Sequence, residues 1–71
     1  MINGVWFAEM ETEHYTWRAI GRTEEEAVLA IENEWAHGVG AENRVQMTRE
    51  ELEEYYGIRR WSMKFGKCIW E

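Results

Sequence analysis

The chain has 71 residues and a formal net charge of −6, because eight lysines and arginines stand against fourteen glutamates. A chain of this length has room for one small core, which rarely supplies more than about 3–5 kcal/mol of stability, so we expect a single domain over residues 1–71. The single cysteine excludes an intrachain disulfide, and the absence of aspartate removes the residue most used to hold Mg²⁺ or to orient a catalytic histidine.

No stretch of the sequence has the composition of a targeting or membrane-spanning segment. The first ten residues contain neither the basic region nor the apolar region of a signal peptide. No apolar run approaches the roughly 18 residues that a membrane span requires. We therefore expect a cytoplasmic protein.

Residues 2–10 and 15–20 are predicted to form two strands. One side of the first strand carries Trp6, Ala8 and Met10, and the matching side of the second carries Tyr15, Trp17 and Ala19. The segment between the strands, ETEH, is short and polar. This arrangement favours a β-hairpin.

A helix is predicted to begin after Thr23. Thr23 and Glu26 have the spacing of a capping box, and the acidic first turn complements the helix dipole. Gly38 is the expected stop. The apolar stripe of this helix consists of Ala27, Val28, Ile31 and Trp35.

A second, shorter helix is predicted after a loop over residues 38–47. Thr48 and Glu51 repeat the capping-box spacing, and Gly57 is the expected stop. The apolar face of this helix consists of Leu52, Tyr55 and Tyr56.

The end of the chain is predicted to form a third strand. Trp61, Met63 and Phe65 alternate with polar neighbours, which places them on the core face together with the apolar side of the hairpin. Gly66 marks a candidate bulge. The predicted fold is α+β, in the order β-β-α-α-β, with a three-stranded antiparallel sheet covered on one face by two helices.

The other face of this sheet is a candidate contact surface, because no third helix is left to cover it. We expect it to carry Phe7, Arg18, Arg60 and Lys64 among other residues, an apolar and basic combination that is unusual for a solvated face. A second copy of the chain, a protein partner or stacked bases could occupy it. We expect no direct nucleic-acid binding as the main role, since the chain lacks a broad basic footprint.

The two helices carry the second candidate surface. Their glutamates either form a solvated face or imitate a phosphate backbone and occupy the basic groove of a nucleic-acid-handling protein. Few lysines lie among them, so we expect the negative field to reach outward. The candidate partner-binding residues are Glu24, Glu25, Glu32, Glu50, Glu51, Glu53 and Glu54.

Residues that could support catalysis or metal binding are few and badly spaced. His14 lies in the predicted hairpin turn, His37 ends the first helix, and Cys68 near a strand end is expected to be a buried, inert thiol. No pair of them has the spacing of a metal site. We predict no enzyme activity, no metal and no cofactor.

Two resemblances bear on function. The segment VWFAEMETEHYTWRAIGRTEEEAVLAI resembles the opening of the HicB-like antitoxin fold, in which a hairpin leads into Gly-x-Thr and an acidic helix; the matching positions are Gly21, Thr23, Glu26 and Ala27. As a small acidic Trp-rich chain, the protein also resembles phage and mobile-element inhibitors of the anti-CRISPR type. That resemblance implies tight binding to a defence protein in the cytoplasm of a bacterial host.

Two functional hypotheses follow. The first is a non-enzymatic acidic binding protein, such as an anti-defence inhibitor, that binds a nucleic-acid-handling protein through its glutamate-rich helices. The second is a ligand- or nucleic-acid-binding module, such as a HicB-like antitoxin or a protein that sequesters a nucleotide signal, that uses the uncovered sheet face. Either protein could also form a homodimer.

Overall fold

The computed structural model describes residues 4–68 and contains three strands and two helices. Between the helices lies one 3-10 turn, Ala41–Asn43. The order β-β-α-α-β confirms the predicted α+β fold. The elements are β1 (Gly4–Glu11), β2 (Thr16–Gly21), α1 (Glu24–His37), α2 (Arg49–Tyr55) and β3 (Ile58–Lys64).

The strands form one antiparallel sheet in the order β2-β1-β3, so the first strand is central. The hairpin between β1 and β2 is closed by Thr12, whose backbone N–H donates to the carbonyl of Tyr15 at 2.9 Å. Phe7 pairs with Ile20 on one side and with Trp61 on the other. Because alternate side chains of a strand point to opposite faces, this register fixes which residues share a face.

Both helices pack on one face of the sheet, as predicted. Met10 and Leu52 are fully buried there, and Trp35 is 6% exposed. The expected stripe of α1 is confirmed, since all four of its members are buried. The core consists of Ala8, Met10, Ala27, Val28, Ile31, Trp35, Leu52 and Ile58.

Each helix begins at the predicted threonine. Thr48 accepts a hydrogen bond from the backbone N–H of Glu51, whose carboxylate accepts one from the backbone N–H of Thr48, so the capping box is complete. At α1, Thr23 accepts from the N–H of Glu26, but the Glu26 carboxylate accepts from the N–H of Arg22 and not from that of Thr23. Both threonines therefore satisfy a donor that the helix itself leaves open.

The prediction of which β3 side chains face the core is wrong, because the observed alternation is shifted by one residue. Ile58 is buried opposite Met10, and this position brings the even-numbered residues of β3 to the helix-covered face. Trp61 and Met63 consequently lie on the other face. The strand starts at Ile58 because Gly57, with a φ of 83°, reverses the chain directly after α2.

Three more aromatic residues predicted to join the core are exposed. Tyr15 precedes β2 and is 71% exposed, and Tyr55 on α2 is 70% exposed. Phe65 is 67% exposed and lies in a turn at Gly66, where a bulge was expected. Within the described part of the chain, neither helix is long and apolar enough to cross a bilayer.

Candidate functional site

No described element covers the face of the sheet opposite the helices. We call it the open face. Its side chains form cross-strand rows, since paired residues of neighbouring antiparallel strands share a side of the sheet. The open face carries Val5, Phe7, Glu9, Arg18, Ile20, Arg59, Trp61 and Met63, and the Glu11–Thr16 pair lies at its end beside the hairpin turn.

An apolar row crosses the middle of the open face. Phe7 lies between Ile20 and Trp61, and its ring stacks on that of Trp61 with centroids 5.4 Å apart and planes inclined by 13°. Ile20 is 59% exposed and Trp61 is 38% exposed. An apolar patch of this kind, rimmed by charged residues, is typical of an interaction surface.

A charged row lies beside the apolar one. Nε of Arg18 donates to the Glu9 carboxylate at 3.0 Å, and Arg59 donates to its other oxygen through Nη2. The Glu9 side chain is 11% accessible, whereas those of Arg18 and Arg59 are 73% and 76% accessible. Glu9 therefore orients two exposed guanidinium groups, most of whose N–H donors stay open to an outside acceptor.

The sequence placed Arg60 and Lys64 on this face, and the structure corrects that placement. Both lie on the helix-covered side of β3. Arg60 forms ion pairs with Glu24 and Glu53, and its Nη1 donates to the carbonyl of Ile58 at 3.3 Å. Phe7 and Arg18 belong to the open face, as predicted.

Glutamates of the acidic helices are held largely within the fold. Arg49, at the start of α2, donates to both carboxylate oxygens of Glu25 at 2.7 Å and to Glu32 at 3.0 Å. The hydrogen bonds from Arg49 keep the pKa of Glu25 below its usual value, and the two carboxylates raise the pKa of Arg49. These contacts tie α2 to α1.

Of the seven predicted contact glutamates, two stay outside these contacts. Glu24 and Glu53 pair with Arg60, Glu25 and Glu32 with Arg49, and the Glu51 carboxylate is part of the cap. No hydrogen bond or ion pair within residues 4–68 engages the other two. They are Glu50 and Glu54, which lie one helical turn apart on α2.

The structure does not bring the candidate catalytic residues together. His14 lies in the hairpin turn and His37 in the last turn of α1, where an imidazolium would complement the dipole. Cys68 is exposed, so the expected buried thiol is wrong. No group of three or more potential metal ligands occurs among residues 4–68.

Sequence reasoning missed Glu9, Arg59 and Trp61 as members of one surface. The predicted hairpin did contain one usable signal. Glu9 and Arg18 lie at positions that pair across its short turn, so their side chains share one face of the sheet. Whether Arg59 and Trp61 lie on the open face depends on which alternate residues of β3 face the core. The sequence offers two alternating series of residues there, and either could be buried. No family model, no curated protein and no solved structure matches the chain, so its own geometry carries the functional argument.

Proposed function

We propose that this chain is a non-enzymatic binding protein that docks on a protein partner through the open face. The carrying observation is the exposed Phe7–Trp61 stack beside two guanidinium groups that Glu9 holds in place. Aromatic and arginine side chains are enriched among the residues that dominate interface energies. Because Glu9 already fixes the arginines, little side-chain entropy is lost when a partner binds them.

The charged row indicates the chemistry of the partner. Two exposed guanidinium groups flank the shielded Glu9 carboxylate, and the exposed Glu11 carboxylate lies further along β1. The outward N–H donors of both arginines favour an anionic group on the partner. A carboxylate suits these planar donors. The fitting surface is therefore apolar opposite Phe7 and Trp61 and acidic opposite Arg18 and Arg59.

The size of the open face favours a different protein over a second copy. Strands of 8, 6 and 7 residues form it. At about 4.8 Å between strands and about 3.3 Å per residue, it measures roughly 14 Å by 23 Å. That is well below the ~800 Å² that each partner contributes to a standard interface. A second copy packed face to face would present the same small surface. A different protein with a groove that also encloses the sheet edges would supply the missing area.

A second candidate is docking through the acidic helices, as the sequence suggested. Glu50 and Glu54 favour it, because nothing within residues 4–68 neutralises them. These two glutamates alone would form only a small contact area with a partner. The second candidate therefore predicts that these two positions matter, and the first predicts that they do not.

Capture from a bacterial lysate, with nuclease treatment and read by mass spectrometry, separates the two candidates when matched variants are used. Trp61→Ala and Arg18→Glu alter the open face. Tyr55→Ala and Arg22→Glu are their controls, since Tyr55 is an exposed aromatic on α2 and Arg22 an exposed cation outside the open face. The double variant Glu50→Lys/Glu54→Lys tests the helices.

The proposal expects one partner that wild type and both controls retain in equal amounts and that Trp61→Ala and Arg18→Glu lose. Loss of one hot-spot side chain should weaken the complex by about 2 kcal/mol or more, a factor of roughly 30. If the partner is lost only in the double lysine variant, the helices are the contact surface and the proposal fails. Equilibrium sedimentation of the free protein would reveal a tight homodimer, which would also contradict it.

A further inference from the structure

A cleft of about 700 Å³ opens between the β1–β2 hairpin and the C-terminal end of α1, away from the open face. Its aromatic lining is continuous: Trp17 and Trp35 have ring centroids 5.6 Å apart, and Trp35 and Tyr56 have centroids 5.8 Å apart. Tyr15, the exposed aromatic of the hairpin, stands at its rim. The volume is typical of ligand-binding clefts, which measure roughly 300–1,000 Å³.

Arg44 shows which chemistry this lining accepts. Its guanidinium carbon lies 5.0 Å from the ring centroid of Trp17 and 5.5 Å from that of Trp35, within the range of a cation–π contact. The same group donates to the carbonyls of Glu34, Trp35 and Val39 at 2.8–3.0 Å. A cation of the protein itself is thus held by aromatic faces and by carbonyls at the end of α1.

The remaining charges of the cleft are negative. Glu13 and Glu34 both line it, and the C-terminal end of the helix dipole adds partial negative charge. Among the described lining residues, Arg44 is the one arginine or lysine, and His14 also lies there. The three hydrogen bonds of Arg44 go to backbone carbonyls, so Glu13 and Glu34 form no ion pair with it. The cleft therefore combines the exposed ring of Tyr15 and the partly buried rings of Trp17 and Tyr56 with two carboxylates that form no ion pair within residues 4–68.

Internal hydrogen bonds hold the walls of the cleft in place. The indole N–H of Trp17 donates to the Thr12 hydroxyl at 3.3 Å, and that of Trp35 donates to the carbonyl of Val45 at 2.9 Å. Arg44 fastens the segment after α1 to the helix end. Neither indole therefore has a free N–H donor, which disfavours an anionic ligand.

We propose that this cleft binds a peptide segment through a lysine or arginine side chain. The cationic head lies against Tyr15 and the exposed edge of the aromatic lining, within reach of Glu13 and Glu34. A cleft of about 700 Å³ is far larger than one ammonium group and leaves room for the flanking peptide. This site is separate from the open face and does not depend on the function proposed for it.

The test is a titration of ¹⁵N-labelled protein with the acetylated and amidated tripeptides Gly-Lys-Gly, Gly-Arg-Gly and Gly-norleucine-Gly. We expect the indole N–H resonances of Trp17 and Trp35 to shift with the lysine and arginine peptides and to stay in place with the norleucine peptide. Equal shifts with norleucine would overturn the proposal. So would binding of tetramethylammonium as tight as that of the lysine peptide, because the peptide would then contribute nothing.

Two variants with matched controls locate the site. Glu34→Gln keeps an oxygen that can accept the N–H of Val39 but removes the charge; Tyr15→Ala removes an exposed ring. Each should weaken the lysine peptide by about two- to fivefold, the size of an exposed cation–π or ion-pair contact. Glu54→Gln on α2 and Phe65→Ala in the turn at Gly66, where the ring is 67% exposed, should leave the affinity unchanged. Affinities unchanged in both cleft variants would contradict the assignment.

Discussion

The two faces of the sheet carry opposite charge arrangements that serve different purposes. On the covered face, one arginine, Arg60, lies between Glu24 and Glu53. On the open face, one glutamate, Glu9, lies between Arg18 and Arg59. The first arrangement joins a strand to two helices, whereas the second joins three neighbouring strands and leaves its two cations in solvent.

This difference teaches which charges hold the fold and which are available for contact. The Arg60 side chain is 26% accessible and its partners Glu53 and Glu24 are 34% and 52% accessible, so its ion pairs are only partly exposed, and they connect elements distant in sequence. The guanidinium groups of the open face are about three-quarters accessible, and exposed ion pairs contribute only about 0–1 kcal/mol to stability. Substitutions on the two faces should therefore separate stability from binding.

The largest effect is expected for the core beneath the helices. Leu52→Ala removes a fully buried side chain and should cost about 2–5 kcal/mol, which approaches the whole stability of a domain this small. Trp61→Ala on the open face should cost less, about 1–2.5 kcal/mol, because Trp61 loses its ring contact and part of its buried surface but is already 38% exposed. Urea denaturation followed by circular dichroism measures both. A larger loss for Trp61→Ala than for Leu52→Ala would show that the open face is covered in the free protein.

An intermediate effect is expected for the two charged groups. Arg60→Met removes the link between β3 and both helices and leaves Glu24 and Glu53 without a partner, at a cost of about 1–3 kcal/mol. Arg59→Met should cost less than about 1 kcal/mol, since Arg18 still pairs with Glu9. The same denaturation experiment compares them. Equal costs would mean that shelter from solvent does not distinguish the two faces.

The sequence predicted those parts of the structure that depend on neighbours along the chain. Thr48 and Glu51 cap α2 as expected because both partners lie within one turn. The prediction of which β3 residues face the core was wrong because two alternating series of residues compete there. Trp61, Met63 and Phe65 are the more apolar series, but Ile58 directly follows the turn at Gly57 and enters the core first.

The candidate surfaces were predicted only in part, for a related reason. Phe7 and Arg18 were correctly placed on the open face, because hairpin pairing is local. The pairing of Arg49 with Glu25 spans 24 residues, and no spacing rule connects positions so far apart. The predicted outward negative field counted the glutamates of the helices but left out their pairing with Arg49. Charge composition therefore overstated the acidic surface that the fold leaves unpaired.

The smallest effect concerns acid stability and Glu25. Its pKa is lowered in the folded protein, chiefly by the hydrogen bonds from Arg49, so the unfolded chain binds the proton more readily. This contribution is complete above the ordinary pKa of about 4.5 and is lost as the pH falls through the lowered folded value. Glu25→Gln should therefore flatten the loss of stability below about pH 4.5 relative to wild type. Denaturation midpoints across pH 2–7 in low salt measure this slope. Identical slopes for Glu25→Gln and wild type would mean that Arg49 does not hold Glu25 in solution, and Glu25 would then count again among the unpaired carboxylates of the helices.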